Sequence, residues 1–228
     1  MKNVLIMGAG SGLSASLARC FGKAGFAVSL AARNSEKLRA LSNETDASVF
    51  NCDATDKNNV QSLFRKLDDE NLTPDIIIYN AGAYASGPIN EIDTDVAKEV
   101  FMTNAFGAML VAQEAAKRML KQGHGTMLFT GASAGVKGFP KSAPFAMGKF
   151  ALRGLCQSLA RELAPQNIHV AHFVIDGLIY STDRGAPYDD PATTLNPDEI
   201  AKTYLYIAQQ DRTTWTWELE LRPSVETF

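Results

Sequence analysis

The chain has 228 residues, 46% hydrophobic and 21% charged, enough to bury one full α/β core and ordinary for a soluble globular domain. A net charge of -3 and a pI near 5.7 argue against a nucleic-acid-binding face or a basic membrane patch. Three scattered cysteines (Cys20, Cys52, Cys156) and three histidines (His124, His169, His172) show no metal-ligand spacing, so no metal is expected and the compartment reads as reducing.

Apolar runs alternate with helical periodicity throughout. The predicted order is strand Asn3–Met7, helix Gly12–Lys23, strand Ala27–Ala32, helix Ser35–Leu41, strand Ser48–Cys52 and helix Lys57–Asp69. Strand Asp75–Tyr79, helix Thr94–Lys121, strand Gly125–Thr130, helix Phe145–Leu163, strand His169–Ile175, helix Pro197–Gln209 and strand Glu218–Leu221 follow. This alternation implies right-handed crossovers and one Rossmann-fold α/β domain over 1–228, a doubly wound parallel sheet of about seven strands flanked by helices. Such sheets bind ligands beyond the carboxyl ends of their strands. Function is therefore expected after Met7, Ala32, Cys52, Tyr79, Thr130 and Ile175. The irregular stretch Ser181–Pro197 reads as a substrate loop or a partly disordered segment. Leu152, Leu155, Leu159 and Leu163 form an apolar stripe, and Trp215 and Trp217 alternate onto one face of the last predicted strand. No span is long enough to cross a membrane and the opening apolar run is too short for a secretory signal, so the cytoplasm is expected.

The run Met7-Gly8-Ala9-Gly10-Ser11-Gly12-Leu13-Ser14 joins a strand to a helix. A helix N-terminus offers unpaired N–H groups and a partial positive charge, which suit a phosphate. In this dinucleotide-binding turn Gly8 allows the tight bend, Gly10 the approach of a pyrophosphate, and Gly12 close packing of helix on strand. The second strand ends in Ala31-Ala32-Arg33-Asn34, with no acid to take a ribose hydroxyl. Arg33 offers a fork of donors for a phosphate instead, with Lys37 as a second cation, so NADP(H) is preferred over NAD(H).

With Cys52-Asp53-Ala54, the intact tripeptide Asn80-Ala81-Gly82, Asn104 and Asp176-Gly177-Leu178-Ile179-Tyr180-Ser181, the chain resembles the classical short-chain dehydrogenases/reductases from residue 3 to about 182. Met7 and Ser14 depart from the family turn, and Asp176 stands where the family has proline. The resemblance implies a nicotinamide cofactor held by Gly8, Gly10, Ser11, Gly12, Leu13, Arg33, Asp53, Ala54, Asn80, Ala81, Gly82, Lys149, Gly177, Ile179 and Ser181. It implies a homodimer or homotetramer built through the two long helices. It also implies a proton relay of Ser, Tyr and Lys with a helix Asn, in which the Lys lowers the phenol pKa.

That relay is incomplete. Lys149 and Asn104 are present, but Phe145 falls in the Tyr position and Ala132 in the Ser position, with Ser133 its neighbour. Three readings follow. One is an oxidoreductase on a carbonyl or alcohol whose acid is relocated to Ser133, Ser142, Tyr84, Tyr180, Tyr188 or Lys149 itself. The second is a catalytically disabled NADP(H)-binding sensor or structural partner. The third is a site for another nucleotide, such as a methyl donor. The first is preferred because the rest of the scaffold is intact. Phe145, Phe139, Met147 and Ala132 then make an apolar pocket, which favours an apolar carbonyl or alcohol.

Overall fold

The computed structural model describes residues 2–226. It runs β1 (Asn3–Met7), α1 (Leu13–Lys23), β2 (Ala27–Ala32), α2 (Arg39–Thr45), β3 (Ser48–Asn51), α3 (Lys57–Asp69) and β4 (Ile76–Tyr79). Then come α4 (Thr94–Phe101), a π-helical segment Met102–Phe106, α5 (Gly107–Gln122), β5 (Gly125–Thr130), α6 (Ala143–Leu163), β6 (Ile168–Ile175), α7 (Pro197–Ala208) and β7 (Glu218–Leu221). The seven strands form one parallel sheet in the order β3-β2-β1-β4-β5-β6-β7. The chain folds as a Rossmann-like α/β unit, with the order reversing between β1 and β4, where such sheets open a crevice.

Helices cover both faces, so central strands read as unbroken apolar runs rather than alternations. All of β4 and β6 is buried. Successive side chains nonetheless serve opposite cores. Leu5, Met7, Ile77, Tyr79, Met127 and Phe129 pack with α3, α5 and α6 residues on one side. Val4, Ile6, Ile76, Ile78 and Leu128 pack with α1 and α7 residues on the other. Side chains cap three helix starts: Asp56 accepts from the amide of Asn59, Asp93 from those of Asp95 and Val96, and Asn196 from that of Asp198. The start of α1 has no side-chain cap.

Two expectations need correction. The helix predicted over Thr94–Lys121 is interrupted, because the Tyr79 hydroxyl donates to the Thr103 carbonyl at 2.6 Å and diverts it from the helical ladder. Trp215 and Trp217 precede β7 instead of alternating along it. Trp215 stacks on the His169 ring, with centroids 4.7 Å apart, and Trp217 lies beneath the Arg153 guanidinium. The leucine stripe of α6 packs inward against the core, whereas the exposed apolar side chains on that helix are Met147 and Phe150. Among the described residues no helix is long and apolar enough to cross a membrane.

Candidate functional site

A cleft of about 640 Å³ opens at the carboxyl ends of β1 to β4. It brings together Gly8, Gly10, Ser11, Gly12, Leu13, Arg33, Asp53, Ala54, Asn80, Ala81, Gly82, Ile179 and Ser181. Gly177 and Lys149 lie outside its lining.

Gly8 forms the bend with φ +83°, and a Cβ placed there would meet the Ala81 Cα at 2.3 Å. A Cβ on Gly12 would meet nothing within 4 Å. The close-packing role expected of Gly12 therefore belongs to Gly8, because the turn presses on the strand-β4 loop and not on the helix. The amides of Gly8 and Ala9 are committed to the Ala31 carbonyl, at 2.9 and 3.0 Å. Those of Gly10, Ser11, Gly12 and Leu13 make no backbone hydrogen bond among the described residues and stand at the uncapped start of α1. Ser14 has a role there. Its hydroxyl donates to the Gly8 carbonyl at 3.1 Å and accepts from Asn80 Nδ2 at 2.7 Å, latching the turn to β4.

Arg33 is exposed at the end of β2, and the nearby Glu36 carboxylate is engaged by Arg39. Neither Arg33 nor Lys37, both in the cleft lining, has a carboxylate partner among the described residues. Asp53 turns one carboxylate oxygen onto the amide and hydroxyl of Thr55, at 2.9 and 2.8 Å. This donor set fits a dinucleotide: orphan amides for a phosphate bridge, a free guanidinium for a further phosphate, and a bend that only glycine fills.

Beside the cleft lies a second cluster. Asn104, in the π segment, is wholly buried. It accepts from the Ala83 amide at 3.2 Å and donates to the Ala83 carbonyl at 2.8 Å, fixing the backbone that follows Gly82. Lys149 on α6 is 5% exposed, and its Nζ donates to the Thr130 carbonyl at 2.9 Å. A Cβ on Gly82 would sit 3.4 Å from Asn104 Oδ1 and 3.9 Å from Lys149 Nζ, so Gly82 joins the two groups to the cleft wall. Burial without a carboxylate partner lowers the Lys149 pKa from 10.5 to about 8. Thr130 is itself held by the Tyr204 hydroxyl at 2.8 Å.

Phe145 lies one helical turn before Lys149, whose Nζ is 5.7 Å from the Phe145 ring centroid. The exposed Tyr84 ring packs edge-on against Phe145 at 5.1 Å. Ala132 is extended, and Ser133 opens a short 3-10 turn with no hydrogen bond from its hydroxyl among the described residues. Of the hydroxyls proposed as substitutes, only that of Tyr84 belongs to a ring in contact with Phe145; Ser142 is buried, while Tyr180 and Tyr188 sit in the loop after β6. Met147 lies about 200° round the helix from Phe145 and is exposed, so it does not share a face with Phe145, and the apolar wall expected there is left to the other residues named for it. Gly177 has φ +142°, and a Cβ there would meet Pro223 at 2.9 Å. The Asp176 carboxylate is buried 2.9 Å from the Arg222 guanidinium, which gives the acid in the proline position a structural partner.

Sequence reasoning missed Arg184 and Asp183, which line the cleft from the segment after β6. Their signal was proximity to Ser181, two and three residues away in the chain.

The fold and this cleft define a nucleotide-binding α/β protein. A family model described as short chain dehydrogenase matches residues 2–189, and the chain belongs to that family of oxidoreductases. A short-chain dehydrogenase from Rhodopseudomonas palustris is 33% identical, covers 97% of this chain and 98% of its own, and superposes with a TM-score of 0.84. An uncharacterized oxidoreductase of Staphylococcus aureus is 28% identical over 97% of both chains. A metagenomic short-chain oxidoreductase solved in complex with NADP is 24% identical, covers 98% of both chains and has a TM-score of 0.85, a likeness of fold.

Proposed function

We propose that the chain is one domain over 1–228 and works as an NADP(H)-dependent short-chain oxidoreductase on an apolar carbonyl or alcohol, with an altered proton relay. The observation that carries this reading is the buried Lys149 amine, brought with Asn104 to the Gly82 edge of a cleft fitted for a dinucleotide. A buried amine with a single carbonyl partner is expensive as a structural device and suits a functional one.

When bound, the nicotinamide supplies or takes up a hydride. The chain's own residues do the rest. Amides of Gly10 to Leu13 hold the phosphate bridge, while Arg33 and Lys37 hold the ribose phosphate. Asp53 and Ala54 meet the adenine, and Asn80, Ala81, Gly82, Ile179 and Ser181 confine the rest of the dinucleotide. Lys149 serves the nicotinamide ribose, and Asn104 keeps the Ala83 backbone in place. Phe145 stands in the Tyr position and Ala132 in the Ser position, so neither supplies a hydroxyl. With a pKa near 8, Lys149 holds a proton at Nζ that it can release near neutral pH, and Ser133 is the nearest hydroxyl in sequence to the missing serine. Exposed Phe106 and Met109 on one long helical segment, and Met147 and Phe150 on the other, suit a homo-oligomeric contact. We assign the protein to the cytoplasm.

Two observations favour the alternative of a catalytically disabled NADP(H)-binding protein. Tyr84 covers Phe145 edge-on, and the Lys149 amine is tied to Thr130. Titration with NADPH and NADH, followed by a panel of carbonyls and alcohols, separates the readings. Turnover with NADPH supports the enzyme. Tight NADPH binding without turnover supports the disabled protein, and weak binding of both cofactors overturns both.

A further inference from the structure

The ten arginines divide by partner. Five pair with carboxylates: Arg19, Arg39, Arg118, Arg153 and Arg222. Arg161 and Arg212 donate to main-chain carbonyls. Arg33, Arg65 and Arg184 have neither kind of partner among the described residues. Arg65 is a solvated residue on α3, whereas Arg33 and Arg184 both line the cleft. Two unpaired guanidinium groups and Lys37, against the carboxylates of Asp53 and Asp183, leave the lining net positive around a floor of orphan amides.

The two cations reach the cleft from different sides. Arg33 follows β2, next to β1, whereas Arg184 follows β6, three strands from β1 in the other direction. A ligand spanning the cleft presents different groups to each. Arg184 is also held in place: its guanidinium lies over the Tyr188 ring at 4.9 Å, and the Tyr188 carbonyl accepts from the Ser181 amide at 2.9 Å. The two ends of this loop are tied by the Ile179–Leu195 bridge. The adjacent Asp183 lines the cleft without forming an ion pair with Arg184.

We infer that Arg184 is a clamp for the pyrophosphate of a bound dinucleotide, working from the loop after β6 against the amides of Gly10 to Leu13. The inference rests on the dinucleotide reading above and adds a binding residue to it. A planar fork of donors fits two phosphate oxygens at once, and its engagement couples the loop to cofactor occupancy. Because the pyrophosphate is common to both nicotinamide dinucleotides, Arg184 serves NAD and NADP alike, unlike Arg33.

The test is calorimetric titration of the full chain with NADP and with NAD, joined to hydrogen exchange of residues 181–197 with and without NADP. Arg184→Ala is expected to weaken both dinucleotides by one common factor of ~10, with Arg184→Lys recovering part of the loss. NADP should slow exchange in 181–197 of the wild type and slow it less in Arg184→Ala. Arg184 is exposed, and circular dichroism of the variant checks that it folds. Equal binding by wild type and Arg184→Ala, with the same loop protection, overturns the clamp and leaves the cofactor reading standing. A loss confined to NADP also overturns it, since Arg184 would then face the ribose phosphate. A folded wild type that binds neither dinucleotide overturns the cofactor reading and the clamp together.

Discussion

The glycine turn and the wall around Lys149 stand side by side but are built from different kinds of group. The turn works through backbone: four orphan amides, one bend at positive φ, and a latch from Ser14 to Asn80. The wall works through side chains: the Lys149 amine, the Asn104 carboxamide, and whatever stands at 145 and 132. A backbone device survives substitution so long as the chain path is kept, and here only its Ser14–Asn80 latch depends on side chains. A side-chain device fails atom by atom. On the proposed reading, Phe145 keeps a ring packed at that position and lacks the oxygen that a proton relay there would use.

Restoring those oxygens is the strongest way to sharpen this contrast. Phe145→Tyr combined with Ala132→Ser is expected to raise turnover of an activated ketone with excess NADPH by ~10²–10⁴-fold, the usual worth of a positioned acid–base group. Steady-state kinetics on the single and double variants read it out. An unchanged rate, with NADPH binding intact, would show that the wall was disabled by more than missing hydroxyls, and the Tyr84 ring packed on position 145 would be the first suspect.

Breaking the turn should be easy at one glycine and hard at another. Gly8→Ala forces a Cβ into backbone at 2.3 Å and onto φ +83°, so a loss on the order of 3 kcal/mol in urea unfolding is expected. Gly12→Ala meets nothing within 4 Å and should leave folding stability within about 0.5 kcal/mol. Comparable losses at both positions would refute the assignment of close packing to Gly8.

A smaller, more selective effect is expected at the rim. Arg33→Ala should weaken NADP binding ~10-fold, because the group is exposed and its charge-assisted bonds are partly screened, and leave NAD binding unchanged. Isothermal titration with both cofactors measures the ratio. A parallel loss for NAD would move Arg33 away from the ribose phosphate.

How much of this was legible in the sequence follows the same division. Parallel strands buried on both faces announce themselves as runs such as Ile76-Ile77-Ile78, and glycine turns as spacing, so a parallel sheet of seven strands and the turn after β1 could be read in advance, though not the order of the strands. The break in Thr94–Lys121 could not, because it depends on the hydroxyl of Tyr79 arriving from another strand. The α6 leucines were legible as a buried stripe but not as to how much of it meets the sheet, since an apolar stripe has the same period against a sheet or a second subunit. Which glycine needs to be glycine was misplaced for a similar reason: the neighbour that decides it, Ala81, is distant in the chain.

Lys149 gives the subtlest test, because its titration is written into folding as well as into the site. Burial lowers its pKa to about 8, against 10.5 when unfolded. Between those values the unfolded chain holds more protons than the folded one, so this lysine makes stability rise with pH from about 8 to 10.5. Buried Cys52 acts in the opposite sense. Its thiol is pushed up to about 12, so above pH 9 the unfolded state loses that proton first and stability falls. Burial also pushes up the Cys156 thiol and the Tyr79 and Tyr204 phenols, which act in the same sense as Cys52, so the wild-type profile alone mixes opposed slopes. The difference between wild type and Lys149→Met, taken from urea midpoints at pH 7 to 10.5, removes the Cys52 contribution and should leave a positive slope that begins near pH 8, carried by Lys149 and its coupling to Cys156. A flat difference would mean that the amine is hydrated in the folded protein, and the wall would lose its one group able to exchange a proton near neutral pH.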